Sequence, residues 1–72
     1  MKRLNLKAER VRSGYTVKEI SSLIGVHHET YYKYENGRYN IPLERAKKIA
    51  KVLNCNLDTL FPISENEQYK EV

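Results

Sequence analysis

The chain holds one cysteine, two prolines, three glycines and no tryptophan in 72 residues. A lone Cys55 excludes a disulfide within the chain and any metal site built from several cysteines. No long apolar run is present, and the opening Met-Lys-Arg-Leu-Asn-Leu-Lys is charged with nothing apolar behind it. Neither a signal peptide nor a membrane span is therefore expected, and the expected location is the cytoplasm. No strand period, internal repeat or low-complexity segment interrupts the sequence. Chemistry is also thinly supplied. His27 and His28 are neighbours, so on a helix they project about 100° apart instead of sharing a face at i,i+4. Cys55 lies between Asn54 and Asn56 and reads as a small packing residue. With no nucleophile–base pair and no metal set to assemble, neither an enzyme nor a cofactor is expected.

What remains is a small basic domain. A chain of this length sits near the lower limit for a self-sufficient core, and a buried catalytic cleft is hard to build in it. Binding is the better expectation. Residues 1–61 carry twelve Lys/Arg against six Asp/Glu, whereas residues 62–72 carry Lys70 against Glu65, Glu67 and Glu71. The division predicts a basic domain over 1–61 and a short polar tail over 62–72. A basic body suits a polyanion such as nucleic acid, or an anionic membrane surface.

The scarce glycines and prolines act as punctuation. Residues 3–13 read as a helix with Leu4, Ala8 and Val11 at helical spacing, ended by Gly14. Thr16-x-x-Glu19 is a capping box that opens a second helix, with Val17, Ile20, Leu23 and Ile24 as its inward stripe. Gly25 supplies a left-handed turn. A third helix runs from about His27 to Asn36 and stops at Gly37, with His27 a poor substitute for Ser, Thr or Asp at its N-cap. Pro42 suits the first turn of a fourth helix, whose inward residues are Leu43, Ala46, Ile49, Ala50 and Leu53. Asn54 to Phe61 holds a short fifth helix, ended by Pro62. The second and third helices with their tight turn make a helix-turn-helix, a unit that places its second helix in the DNA major groove.

These pieces together resemble the Cro/phage-repressor type of helix-turn-helix domain, the Xre family. The resemblance spans residues 4–61. It rests on Leu6-Lys-Ala-Glu-Arg10, Gly14-Tyr-Thr16, Ile20, Ile24-Gly25-Val26, Thr30 and Tyr34-Glu35-Asn36-Gly37. It continues through Pro42, Ile49-Ala50-Lys51-Val52-Leu53 and Asn56-Leu57-Asp58-x-Leu60-Phe61. It implies an all-α, compact five-helix, lambda-repressor-like fold and a structural ion pair between Arg10 and Glu35. If that pair is partly buried, losing one partner leaves an unpaired charge; if both side chains are solvated, it contributes little. Two positions depart from the family. Val17 stands where Gln is common, so only its backbone N–H can serve a phosphate. Ser21 stands where Ala is usual, and its hydroxyl needs a partner.

On a wheel at 100° per residue, His28, Glu29, Tyr32, Lys33 and Asn36 share an arc of about 140°. Thr30, Tyr31 and Tyr34 lie opposite, with Val26. The candidate base-reading residues are His28, Glu29, Tyr32 and Lys33. Lys33 can donate to guanine O6 and N7, Glu29 can accept from the cytosine amino group, and Tyr32 can meet a thymine methyl. His28 can donate or accept according to tautomer. Candidate phosphate contacts are Thr16, Val17 and Lys18 on one side and Asn36, Arg38, Tyr39 and Asn40 on the other. Six tyrosines could suggest single-strand stacking platforms, but Tyr15, Tyr31 and Tyr34 fall at positions this fold packs inward.

The expectation is a sequence-specific regulator of transcription, a dimeric repressor on a palindromic operator of double-stranded DNA. Its half-sites would lie about one helical turn, roughly 10 bp, apart. Leu57, Leu60, Phe61 and Ile63 are the candidate dimer surface, unless they only close the core of one copy. With no effector domain after residue 61, control would come from concentration, competition or a protein partner. The rival expectation is a protein-interaction module, antirepressor-like or antitoxin-like, that keeps the fold without reading DNA. Val17 and the anionic Glu29 favour it.

Overall fold

Helix formation follows the caps. In the computed structural model, which describes residues 2–61, five helices occur in the order α1 (Leu4–Arg12), α2 (Val17–Ile24), α3 (His28–Glu35), α4 (Leu43–Leu53) and α5 (Leu57–Leu60). No strand occurs among the described residues. The Thr16–Glu19 capping box is complete: Glu19 N–H donates to Thr16 Oγ1 at 3.1 Å, and Thr16 N–H donates to Glu19 Oε1 at 2.9 Å. Gly25 closes α2 in the left-handed region at φ 77°. His27 does cap α3, because its Nδ1 accepts from Glu29 N–H at 3.2 Å. An imidazole nitrogen thus takes the place of the hydroxyl or carboxylate usual there.

The helices pack around one core. α2 lies against α3 and α4, α1 against α3 and α5, and α4 against α5. Leu6, Ile20, Ile24, Tyr31, Tyr34, Ile41, Ala46, Ile49, Ala50, Leu53, Leu60 and Phe61 form the buried cluster. Two inward stripes differ from the sequence expectation. In α1 the apolar Leu4, Ala8 and Val11 face water, with Leu4 66 % exposed. The buried stripe is Arg3, Leu6 and Arg10, on the opposite side of the wheel. Counting apolar residues misplaced this face because two of its three residues are arginines, whose aliphatic stems pack while their guanidiniums find acceptors. In α2, Leu23 is 57 % exposed and Ser21 is buried instead. Ser21 sits next to Ile24 on the wheel, which in turn adjoins Ile20, and its hydroxyl donates to Lys18 O at 3.0 Å. A short side chain there lets α2 cross its neighbours closely.

The C-terminal elements are shorter than the sequence pattern suggested. Asn54 does not begin α5; it closes α4 at φ 55°, the left-handed position most often given to glycine. Asn56 caps α5, its Oδ1 accepting from Thr59 N–H at 2.8 Å. Pro42 stands one residue before α4, as its N-cap. Leu60 and Phe61 are wholly buried within the single copy and Leu57 is half-buried. This corrects the expected dimer surface at Leu60 and Phe61, which could meet a second copy only if the core opened. Ile63 and the rest of the tail, including Pro62, lie outside the described residues.

The left-handed Asn54 gives a direct stability test. Asn54→Gly should leave stability unchanged or raise it, because glycine adopts this φ without a Cβ clash. Asn54→Val should lower it by about 1–2 kcal/mol. Urea denaturation of both variants checks the pair.

Candidate nucleic-acid interface

The site begins with what holds α3. Arg10 on α1 forms a two-pronged ion pair with Glu35 at the end of α3, Nε to Oε2 at 2.6 Å and Nη2 to Oε1 at 3.3 Å. The side chains are 11 % and 4 % exposed, so the pair is largely withdrawn from water. Arg10 Nη1 also donates to Tyr15 O at 2.8 Å, which ties in the start of the helix-turn-helix. The carboxylate holds the Arg10 guanidinium above its already high ordinary pKa, so its charge is permanent. Burial, reinforced by the Glu35 carboxylate, pushes the Tyr31 phenol far up, so it stays neutral. The Tyr31 hydroxyl is buried beside this pair with no hydrogen bond of normal geometry.

Arg3 is a second anchor, absent from the sequence expectations. It is buried, and its Nη1 donates to Tyr34 O at 2.5 Å and to Tyr39 O at 2.9 Å. Its own N–H donates to Glu35 O at 2.8 Å. A cation thus sits on carbonyls at the C-terminal end of α3, where the helix dipole favours it. The adjacent Lys2-Arg3 pair was the sequence signal. It gave no warning of burial, because an arginine before a helix usually faces water.

Held this way, α3 turns Tyr31, Tyr34 and Glu35 into the protein and the opposite face outward. His28, Glu29 and Tyr32 are exposed, and Lys33 and Asn36 are half-buried. Glu29, Tyr32, Lys33 and Asn36 line one open hollow with Arg38, so the structure brings these residues together. His28 stands outside that hollow at the N-terminal end of α3, its ring 4.3 Å from that of His27. Arg38, Tyr39 and Asn40 are exposed in the loop after α3. A second hollow between α1 and α3 is lined by Lys2, Arg3, Leu4, Lys7 and Arg10, together with Tyr32, Glu35 and Asn36. Lys2 and Lys7 therefore add positive charge beside the α3 face, although the sequence pattern did not single them out.

The start of α2 is less open than the sequence suggested. Thr16 N–H and Oγ1 are both engaged by Glu19. Val17 is half-buried against the core, and only Lys18 projects freely into solvent. The Glu19 carboxyl is held below its ordinary pKa by the Thr16 backbone N–H and hydroxyl, so an anion already occupies this helix end. Nothing among the described residues groups three or more His, Cys, Asp or Glu side chains as metal ligands. Cys55 is half-buried; its Sγ lies 3.3 Å from both Glu9 Oε1 and Leu53 O, which share its single S–H, and this joins α1 to the segment before α5. Burial pushes this thiol up, away from the reactive thiolate.

With α2, the Gly25 turn and the outward face of α3 in place, comparison with known proteins is decisive. The helix-turn-helix family matches residues 6–60. The chain belongs to this family, of the Xre type. Two helix-turn-helix proteins of Archaeoglobus fulgidus, each named as an uncharacterized HTH-type transcriptional regulator, are similar over nearly their whole length. One is 33 % identical over 69 residues, covering 96 % of this chain and 97 % of its own. The other is 35 % identical over 65 residues, covering 90 % and 93 %. A longer HTH-type transcriptional regulatory protein of Pyrobaculum aerophilum is 27 % identical over 66 residues, which span 92 % of this chain but 26 % of that protein. No solved structure matches. No helix among the described residues is long and apolar enough to cross a membrane.

Two predictions follow from this helix-turn-helix geometry. Arg10→Ala should cost about 3 kcal/mol, because it strands a buried carboxylate, whereas Arg10→Met with Glu35→Leu should recover most of that loss. Chemical denaturation of the single and double variants measures both. The second concerns pH. Folding lowers the Glu19 pKa below its ordinary 4.5. The box therefore adds stability above that value and loses it as pH falls through the folded one. Thr16→Ala should bring the Glu19 carboxyl back toward 4.5 and flatten this acid dependence. Carbon-detected NMR titration of Glu19 reads the shift.

Proposed function

We propose that this chain is a sequence-specific, double-stranded DNA-binding regulator of transcription that lays α3 in the major groove. The observation that carries the reading is the outward face of α3. It is polar, set by buried contacts on the opposite face, and continuous with Arg38 in one hollow. Lys33 would donate to a guanine, Glu29 would accept from a cytosine amino group, and His28 and Tyr32 would meet neighbouring bases. Asn36, Arg38 and Asn40 would track one backbone and Lys18 the other, with Thr16 and Val17 supporting that side. Family membership and relatives named as transcriptional regulators support the same reading.

In the full proposal, two copies act as a repressor across a palindromic operator with half-sites about 10 bp apart. Their contact lies outside Leu60 and Phe61, which the core consumes. The excess of Lys and Arg within residues 1–61 would raise the encounter rate with DNA and make affinity depend strongly on salt.

Lys33→Ala with Arg38→Ala tests the interface directly. Titration against duplex DNA should show an affinity loss of tenfold or more, on the order of 1–3 kcal/mol for the Lys33 base contact alone. The slope of log affinity against log salt should also fall by about one for the lost Arg38 phosphate contact. An unchanged duplex affinity would refute the assignment of this face.

A further inference from the structure

Lys33 does not project freely. Its Nζ lies 5.1 Å from the centre of the Tyr39 ring, within cation–π range. It also donates to the Tyr39 hydroxyl at 3.4 Å. Tyr39 in turn is fixed from below, because its carbonyl accepts from the buried Arg3 guanidinium at 2.9 Å. The same Arg3 nitrogen donates to Tyr34 O on α3. The backbone of the loop after α3 is thereby pinned to the helix that carries Lys33.

We infer that Tyr39 is a positioning residue that sets the direction of the Lys33 ammonium and so the base preference at the position Lys33 reads. This rests on the proposed reading of DNA by Lys33 and deepens it. A lysine on a four-carbon stem is a flexible point charge and by itself discriminates poorly. Held at the hydroxyl end of the Tyr39 ring, it keeps its attraction to the tyrosine on one side. Two of its three N–H donors stay available on the other, which matches the two acceptors of guanine, O6 and N7. Part of the side-chain freedom that a base contact would remove is then already lost before DNA arrives. The sequence reading gave Tyr39 a phosphate contact instead. The two roles differ in what they control, since a phosphate contact positions the protein without carrying sequence information.

The test compares the full chain with Tyr39→Phe and Tyr39→Leu. Tyr39→Phe keeps the ring and loses the long hydroxyl contact; Tyr39→Leu loses both. Without DNA, the ring current of Tyr39 should displace the Lys33 ε-methylene NMR signals in the parent and in Tyr39→Phe, and the displacement should vanish in Tyr39→Leu. Each protein is then used to select from a pool of random duplexes. Tyr39→Leu should relax the preference at one base position by about fivefold or more. The other positions and the salt slope should keep their parent values, and Tyr39→Phe should retain the parent preference. Uniform weakening across all sequences, with the motif unchanged, would overturn the positioning role in favour of a phosphate contact. Ring-shifted lysine signals in a parent protein that selects no motif would overturn the DNA reading itself, and the positioning role with it. A parent motif with no ring shift would overturn the positioning role alone.

Discussion

The orientation of α3 depends on two arginines, Arg3 just before α1 and Arg10 on it. Arg10 clasps Glu35 with two hydrogen bonds and holds Tyr15 with a third donor. Arg3 holds the carbonyls of Tyr34 and Tyr39. Neither contact belongs to the apolar core, yet both decide how α3 rolls about its axis. Apolar packing of Tyr31 and Tyr34 is non-directional and leaves some freedom of rotation. A two-pronged guanidinium–carboxylate pair fixes both distance and plane. The cost is two largely buried charges, which contribute little net stability against an apolar replacement. Their return is specificity of geometry: one face of α3, and not its neighbour, is presented to a partner.

That constraint links core and surface. Inward, Tyr31 sits between Tyr34 and Glu35 on the side that faces α1 and α2. Outward, Glu29, Tyr32, Lys33, Asn36 and Arg38 become a single surface. Arg3 carries the same constraint into the following loop, so that Tyr39 meets Lys33 at a defined place. The polar face is therefore pre-formed, and ordering it at a groove costs less than ordering a set of free side chains. The tight turn at Gly25 completes the unit by setting where α3 begins relative to α2.

Much of this was legible in the sequence, for identifiable reasons. Thr16-x-x-Glu19 and the left-handed Gly25 are local signals that need no tertiary knowledge, and they bound α2 closely. The α3 wheel was legible because Tyr31 and Tyr34 share one side and His28, Glu29 and Lys33 the other, so residue type and burial agree there, with the buried Glu35 and the exposed Tyr32 as the exceptions. In α1 they disagree. Leu4, Ala8 and Val11 are exposed while Arg3 is buried and Arg10 largely so, and a rule that sends apolar residues inward selects the wrong face. The same rule failed at Leu23 and overlooked Ser21. The fifth helix was expected to span Asn54 to Phe61, but the tolerance of Asn54 for positive φ makes it the stop of α4 instead. The Lys33–Tyr39 contact links residues six apart across a helix end, a spacing for which no helix rule exists.

The central claim is that the outward face of α3, as these anchors present it, reads base sequence. Selection of bound duplexes from a random pool by the purified chain tests it most directly. The account predicts enrichment of one motif, repeated with two-fold symmetry at about one turn of DNA between half-sites. Retention of all duplexes alike, weakening with salt and yielding no motif, would contradict it.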